Sequence, residues 1–141
     1  MNADSLARQL LVDEGFVPHA YKDSLGFWTI GVGRLIDERK GGGITSDEAM
    51  LLLHNDIKRH WSELVAARPW VEAAPEAVQE VLANMCFNLG LGGLLAFKLT
   101  LAHLEAGRWA EAADEMLRSK WAAQVGARAE RLAGQLRGLS R

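Results

Sequence analysis

A mainly α-helical α+β fold is what this sequence predicts, and three observations predict it. The 141 residues include 21 alanines and 21 leucines, strong helix formers, while valine, isoleucine and threonine are sparse. Apolar side chains recur at a 3.6-residue period through most of the chain. Residues 16–36 alone mix aromatic and β-branched residues with glycines, as a small hairpin or meander does. Hydrophobic residues are 49% and charged residues 24%, the balance of an ordinary globular chain. That balance excludes a disordered tail, a collagen-like fibre and a coiled coil.

Taken in order, Leu6, Leu10 and Leu11 lie at helical spacing, with Asp4 or Ser5 as cap and Gly15 as stop, so a helix is expected over 5–14. Tyr21, Phe27, Trp28, Ile30 and Val32 flank the turn Asp23-Ser24-Leu25-Gly26 and supply the only β region. Gly41-Gly42-Gly43 reads as a flexible loop. Thr45 and Glu48, three apart before an apolar run, form a capping box that opens a helix to about Ala67. Pro69 breaks the chain, Pro75 opens the next helix, and Gly90 closes it. Further helices are expected near 94–106, 108–118 and 126–138. A single domain over 1–141 follows, with residues 15–60 as a small β-containing lobe and residues 1–14 plus 61–141 as a helical lobe.

Sixteen basic against eighteen acidic residues give a net charge of −2, which argues against a nucleic-acid partner. Residues 116–141 nonetheless carry Arg118, Lys120, Arg128, Arg131, Arg137 and Arg141 against Glu130 alone. The lone Cys86 reads as a reduced core thiol. His19, His54, His60 and His103 lack metal-ligand spacing, so no metal is expected. Trp61, Trp70 and Trp109 read as packing residues. No apolar run is long enough to span a bilayer and no secretion signal stands at the N-terminus, so accumulation where the chain is made is expected, without membrane insertion.

Chemistry concentrates in Asp13-Glu14-Gly15, Tyr21-Lys22-Asp23 and Trp28-Thr29-Ile30-Gly31-Val32-Gly33. Glu14 ends the first helix, Asp23 sits in the turn and Thr29 on the following strand. Two carboxyl groups borne on separate elements can flank one scissile bond, as glycoside hydrolysis requires. Alone, the same residues read as solvated surface carboxylates and turn glycines.

The spacing Glu14, eight residues, Asp23, five residues, Thr29 resembles the catalytic spacing of the phage-type lysozymes, and the T-even branch in particular. The likeness extends through D-E-G, Y-K-D, T-I-G-x-G, I-T-x-D-E-A, N-M-x-F-x-x-G, R-W-x-E-A-A and S-x-W-x-x-Q, in that order along nearly the whole length. This resemblance implies a lysozyme-like fold whose long helix joins the two lobes. It also implies an endolysin-type muramidase cutting the β-1,4 bond from N-acetylmuramic acid to N-acetylglucosamine in bacterial peptidoglycan. Glu14 would be the general acid, Asp23 the second carboxylate and Thr29 the hydroxyl that places water, with inversion as the expected outcome. No cofactor is implied. A monomer awaiting a holin-type pore in the host cytoplasm, then acting on the wall in the periplasm, is the expected biology.

Phe87 and Gln124 are similar to cleft-lining family positions, and Arg128 to an arginine that pairs with the catalytic glutamate. Trp28, beside Thr29, is a further candidate for sugar contact. The sequence departs from the family at Arg34, where histidine is common, and an Arg34–Asp56 pair is expected to replace the family's His–Asp pair. The loop from Leu35 to Ile44 is also shorter than in the T-even branch. A lytic transglycosylase and a glycan-binding domain without activity are the competing readings, and the presence of Glu14, Asp23 and Thr29 together favours hydrolysis.

Overall fold

The amide of Ser5 finds its acceptor in the side chain of Asn2, at 3.0 Å, and the first helix, α1 (Ala3–Glu14), begins there, two residues earlier than the expected caps Asp4 and Ser5 allow. The computed structural model describes residues 1–140. Gly15 ends α1 with φ of 73°, and its N–H bonds the Leu11 carbonyl at 3.0 Å.

Strand β1 (Val17–Lys22) pairs antiparallel with β2 (Trp28–Gly31), and β2 with β3 (Arg34–Leu35), giving a three-stranded meander in the order β1-β2-β3. Tyr21 faces Thr29 and Lys22 faces Trp28, while an irregularity between Val17 and Tyr21 bends β1. After β3 a single 3-10 turn over Glu38–Lys40 is capped by Asp37.

The Gly41-Gly42-Gly43 segment is not the open flexible loop expected from its composition. Its three amides donate to the carbonyls of Glu38, Asp37 and Leu35 at 2.9, 2.9 and 3.1 Å. A Cβ on Gly42 would lie 2.7 Å from the Leu35 carbonyl oxygen, so the chain folds back on itself too closely for any side chain.

The capping box forms as the sequence predicts. Thr45 N–H donates to Glu48 Oε1 at 2.9 Å, and Glu48 N–H donates to Thr45 Oγ1 at 3.2 Å. Helix α2 (Ser46–Ala67) follows.

The chain divides into two compact units, Met1–Leu51 and Leu52 onward, with the boundary inside α2. Residues 1–14 fall in the first of these units together with the sheet. The leucines of α1 are 39–48% exposed. Apolar periodicity marks which face of a helix wants cover but does not name the body that covers it.

The second unit holds the apolar core. A 3-10 turn over Pro69–Ala73 leads to α3 (Glu76–Leu95), α4 (Lys98–Glu105), α5 (Trp109–Leu117), α6 (Lys120–Val125) and α7 (Ala127–Gly138). Gly90, with φ of 72° and ψ of 166°, interrupts α3 where the sequence predicts a stop, and a second helical stretch runs on from it to Leu95. Helix α6 was not foreseen. At six residues it is too short for periodicity to register, yet Ser119 caps it by accepting from Ala122 N–H at 3.1 Å.

Leu64, Leu82, Met85, Leu94, Met116 and Leu136 are fully buried, and α5 packs on both α4 and α7. Trp61, Trp70 and Trp109 pack partly buried against this core, and Cys86 is a free, fully buried thiol, as expected of each. Trp121 donates its indole N–H to Asn88 Oδ1 at 2.7 Å and meets Phe97 edge-on. Among the described residues no single helix is long and apolar enough to cross a membrane.

Candidate active site

Helix α1 ends where its last side chain, Glu14, can turn toward the β2–β3 connection. The carboxylate lies against Gly33: a Cβ built there would stand 2.8 Å from Glu14 Oε2 and 2.9 Å from its Cδ. Gly33 has φ of 65°, which favours glycine on backbone grounds as well. A helix end and a hairpin turn thus meet at one carboxylate, because the turn presents bare backbone.

Asp23 follows directly on β1 and organises the turn to β2. Its Oδ1 accepts the amides of Leu25 and Phe27, both at 2.9 Å. Its own backbone N–H bonds the Phe27 carbonyl at 2.9 Å, and its carbonyl accepts from Gly26 N–H at 3.0 Å. Every protein donor to this carboxylate falls on Oδ1 among the described residues, so Oδ2 keeps its lone pairs for other groups.

Thr29 sits in β2 opposite Tyr21 and is 5% exposed. Its hydroxyl donates to the Phe27 carbonyl at 3.1 Å, which leaves Oγ1 as an acceptor toward any further partner. Phe27 is therefore shared: its amide serves Asp23 and its carbonyl serves both Asp23 and Thr29.

Trp28 is 44% exposed, with Lys22 Nζ over its ring at 5.2 Å. Glu14, Asp23, Thr29 and Trp28 all belong to the first unit. The other expected positions belong to the second. Phe87 is half-exposed and meets His60 edge-on at 5.4 Å between ring centres. With Arg128, Leu53 and Ile57 it lines a cavity of about 350 Å³. Arg128 is tethered to Asn84, donating to Oδ1 at 2.9 Å and to the carbonyl at 3.3 Å. Gln124 is exposed on α6 and lines no part of that cavity.

The expected Arg34–Asp56 pair does not form. Arg34 bonds Glu48 through its two terminal nitrogens, Nη2 to Oε2 at 2.5 Å and Nη1 to Oε1 at 2.8 Å, and Asp56 pairs with Arg59 at 3.1 Å. Glu48 already stands at the N-terminus of α2, where the capping box aims it back along the chain toward β3. Asp56 finds its partner one turn further along its own helix. The Arg34 guanidinium, with help from the Thr45 amide, lowers the Glu48 carboxyl from 4.5 to about 2.

Sequence reasoning also missed Asp37, which is 4% exposed and clasps Arg39 at 2.7 and 2.9 Å. That clasp holds its carboxyl well below the usual carboxylate range. The signal was present as an Asp two residues before an Arg, a spacing common enough in loops to pass unread. No group of three or more His, Cys, Asp or Glu side chains is arranged to hold a metal among the described residues.

A mainly helical chain with one small three-stranded sheet, and two carboxylates on different elements of the sheet-bearing unit, has the lysozyme-like fold. Residues 12–141 match the family model for phage lysozyme, and the chain belongs to the phage lysozyme family. It is similar to a probable T4-type lysozyme 1 of Dictyostelium discoideum, 28% identical over 91% of each chain. A probable T4-type lysozyme 2 of the same organism is also 28% identical over 91% of each. The pre-baseplate central spike protein Gp5 of Enterobacteria phage T4 is 29% identical over 91% of this chain but only 27% of its own length. The family makes this chain a glycosidase-type hydrolase with a lysozyme-like, glycan-cleaving function.

Proposed function

We propose that the chain is an endolysin-type muramidase that hydrolyses the β-1,4 bond between N-acetylmuramic acid and N-acetylglucosamine in bacterial peptidoglycan. Glu14 gives its proton to the glycosidic oxygen as the bond to the anomeric carbon breaks. Water attacks that carbon from the opposite face, directed by Oγ1 of Thr29, and loses a proton to the free Oδ2 of Asp23. The products are a muramic reducing end and a free 4-hydroxyl, with inversion at the anomeric carbon.

The observation that carries this reading is the division of labour in the Asp23 carboxylate. One oxygen is fixed by two backbone amides, and the other is left without a protein donor. A carboxylate with a merely structural role at a turn needs no vacant oxygen, whereas a base must keep one.

Glu14→Gln keeps the shape of the side chain and removes its transferable proton. It is expected to abolish clearing of outer-membrane-stripped cells while leaving the circular dichroism spectrum unchanged. Substantial residual lysis would remove Glu14 from the acid role. NMR of the freshly released reducing ends reads the stereochemistry: the α-anomer supports direct displacement, the β-anomer a covalent intermediate. Anhydro-muramic ends would instead mark a transglycosylase. The Arg34 departure leaves this chemistry intact, because its guanidinium bonds Glu48 and the Gly43 carbonyl and not Glu14, Asp23 or Thr29. Trp28, Phe87, Gln124 and Arg128 are proposed sugar contacts, and the wall polymer is the proposed partner, reached through a holin-type pore by a monomer.

A further inference from the structure

The turn that carries Asp23 is gripped from its far side by two residues that the chemistry above does not use. Phe27 is the point through which that grip acts. Its amide donates to Asp23 Oδ1 at 2.9 Å, and its carbonyl accepts from Asp23 N–H at 2.9 Å and Thr29 Oγ1 at 3.1 Å. Any rotation of the Phe27 backbone moves both side chains together.

Residues 26, 27 and 28 each touch the Asp37–Arg39 pair. Asp37 Oδ2 accepts the Trp28 amide at 3.1 Å. Arg39 reaches back to the Gly26 carbonyl, which it meets through Nη2 at 3.3 Å, and lays its guanidinium over the Phe27 ring at 5.2 Å. Lys40 adds its ammonium over the same ring at 5.0 Å. Arg39 itself is held by Asp37 in a two-pronged clasp, Nε to Oδ1 and Nη2 to Oδ2, the geometry that best fixes a guanidinium plane.

We propose that Asp37 and Arg39 are positioning residues for glycan cleavage: they hold Phe27, and through it the Asp23 carboxylate and the Thr29 hydroxyl, without touching the sugar. This rests on the roles given above to Asp23 and Thr29. A plain loop staple would need only the bond from Arg39 N–H to Asp37 Oδ1, at 3.0 Å, which closes the 3-10 turn locally. The bonds to the Gly26 carbonyl and the Trp28 amide and the stacking on the Phe27 ring leave that loop and converge on three consecutive residues beside the two proposed catalytic groups. A small misplacement of a reacting group costs far more in turnover than in stability, so the two roles separate experimentally.

The test compares the full chain with Asp37→Asn, Arg39→Ala, Arg39→Lys and Asp23→Asn, using uncross-linked peptidoglycan strands well below the melting midpoint. The Arg39 variants are expected to lose roughly tenfold or more in kcat with KM within about twofold, and Arg39→Lys to recover part of the loss. In 1H–15N spectra the Leu25 and Phe27 amides are expected to shift in Arg39→Ala. Should Asp37→Asn fail to fold, Arg39→Ala decides, since that side chain is 66% exposed. Wild-type turnover in Asp23→Asn would remove the function reading and this proposal with it. With Asp23→Asn inactive, unchanged kcat or unmoved Leu25 and Phe27 amides in Arg39→Ala overturn the positioning role alone.

Discussion

A methyl group at Gly33 would occupy the space beside Glu14 Oε2, and the two cannot both stay where they are. The obstructing atom is the tip of a flexible side chain, so the fold can yield cheaply while the carboxylate swings away. Gly33→Ala is therefore expected to cost about 1 kcal/mol of stability, mostly from the positive φ. Its turnover is expected to fall much further, on the order of a hundredfold if the carboxylate moves by an ångström. Thermal melts and glycan-cleavage rates on the same preparation check this, and a drop in rate no larger than the drop in folded fraction would contradict it. Cys86 behaves in the opposite way. Burial pushes its thiol up, with the nearby Glu63 carboxylate adding to the effect. It is expected to resist thiol reagents in the native protein and to react once denaturant opens the second unit.

At the scale of elements, the N-terminus of α2 shows how one carboxylate serves two purposes. Glu48 completes the capping box and also receives Arg34 from β3, tying the sheet to the helix. Thr45→Ala removes one half of the box and is expected to destabilise the protein by about 1 kcal/mol in denaturant titration. The pH dependence has a definite sign. Because folding lowers the Glu48 carboxyl from 4.5 to about 2, its contribution is full above 4.5 and is lost as pH falls toward 2. Glu48→Gln is expected to flatten the decline of the melting midpoint across that window, and an equally steep decline in the variant would refute the pairing. The capping box was legible in the sequence because both partners lie within four residues. Arg34 finding Glu48 rather than Asp56 was not legible, since α2 carries four carboxylates, Asp47, Glu48, Asp56 and Glu63, and only the path of the chain chooses among them. Helix α6 and the short helical stretch between the break at Gly90 and Leu95 escaped for a related reason: short helices are set by caps and packing, not by periodicity.

Across the whole molecule the two units are built on different principles. Among the described residues, all nineteen members of the apolar core lie at or beyond Leu64, while the only buried residues in Met1–Leu51 are Thr29 and Asp37, both polar. Composition announced a helical core correctly, and the spacing of Glu14, Asp23 and Thr29 drew attention to the sheet-bearing segment. What composition does not show is that this segment leans on hydrogen bonds and ion pairs in place of buried hydrocarbon. Amides of α3, α5 and α7 are expected to exchange with deuterium only through global opening, and those of β1–β3 through smaller, more frequent openings. Equal protection in the two sets would contradict that ranking.

The same construction has a practical outcome in acid. Protonating Asp37 and Glu48 undoes the clasps on Arg39 and Arg34, yet leaves the oily helices of the later residues with every reason to stay together. The molecule would then stop cleaving glycan while its far-ultraviolet ellipticity stayed nearly whole, and returning it to neutral buffer would wake it without refolding from scratch.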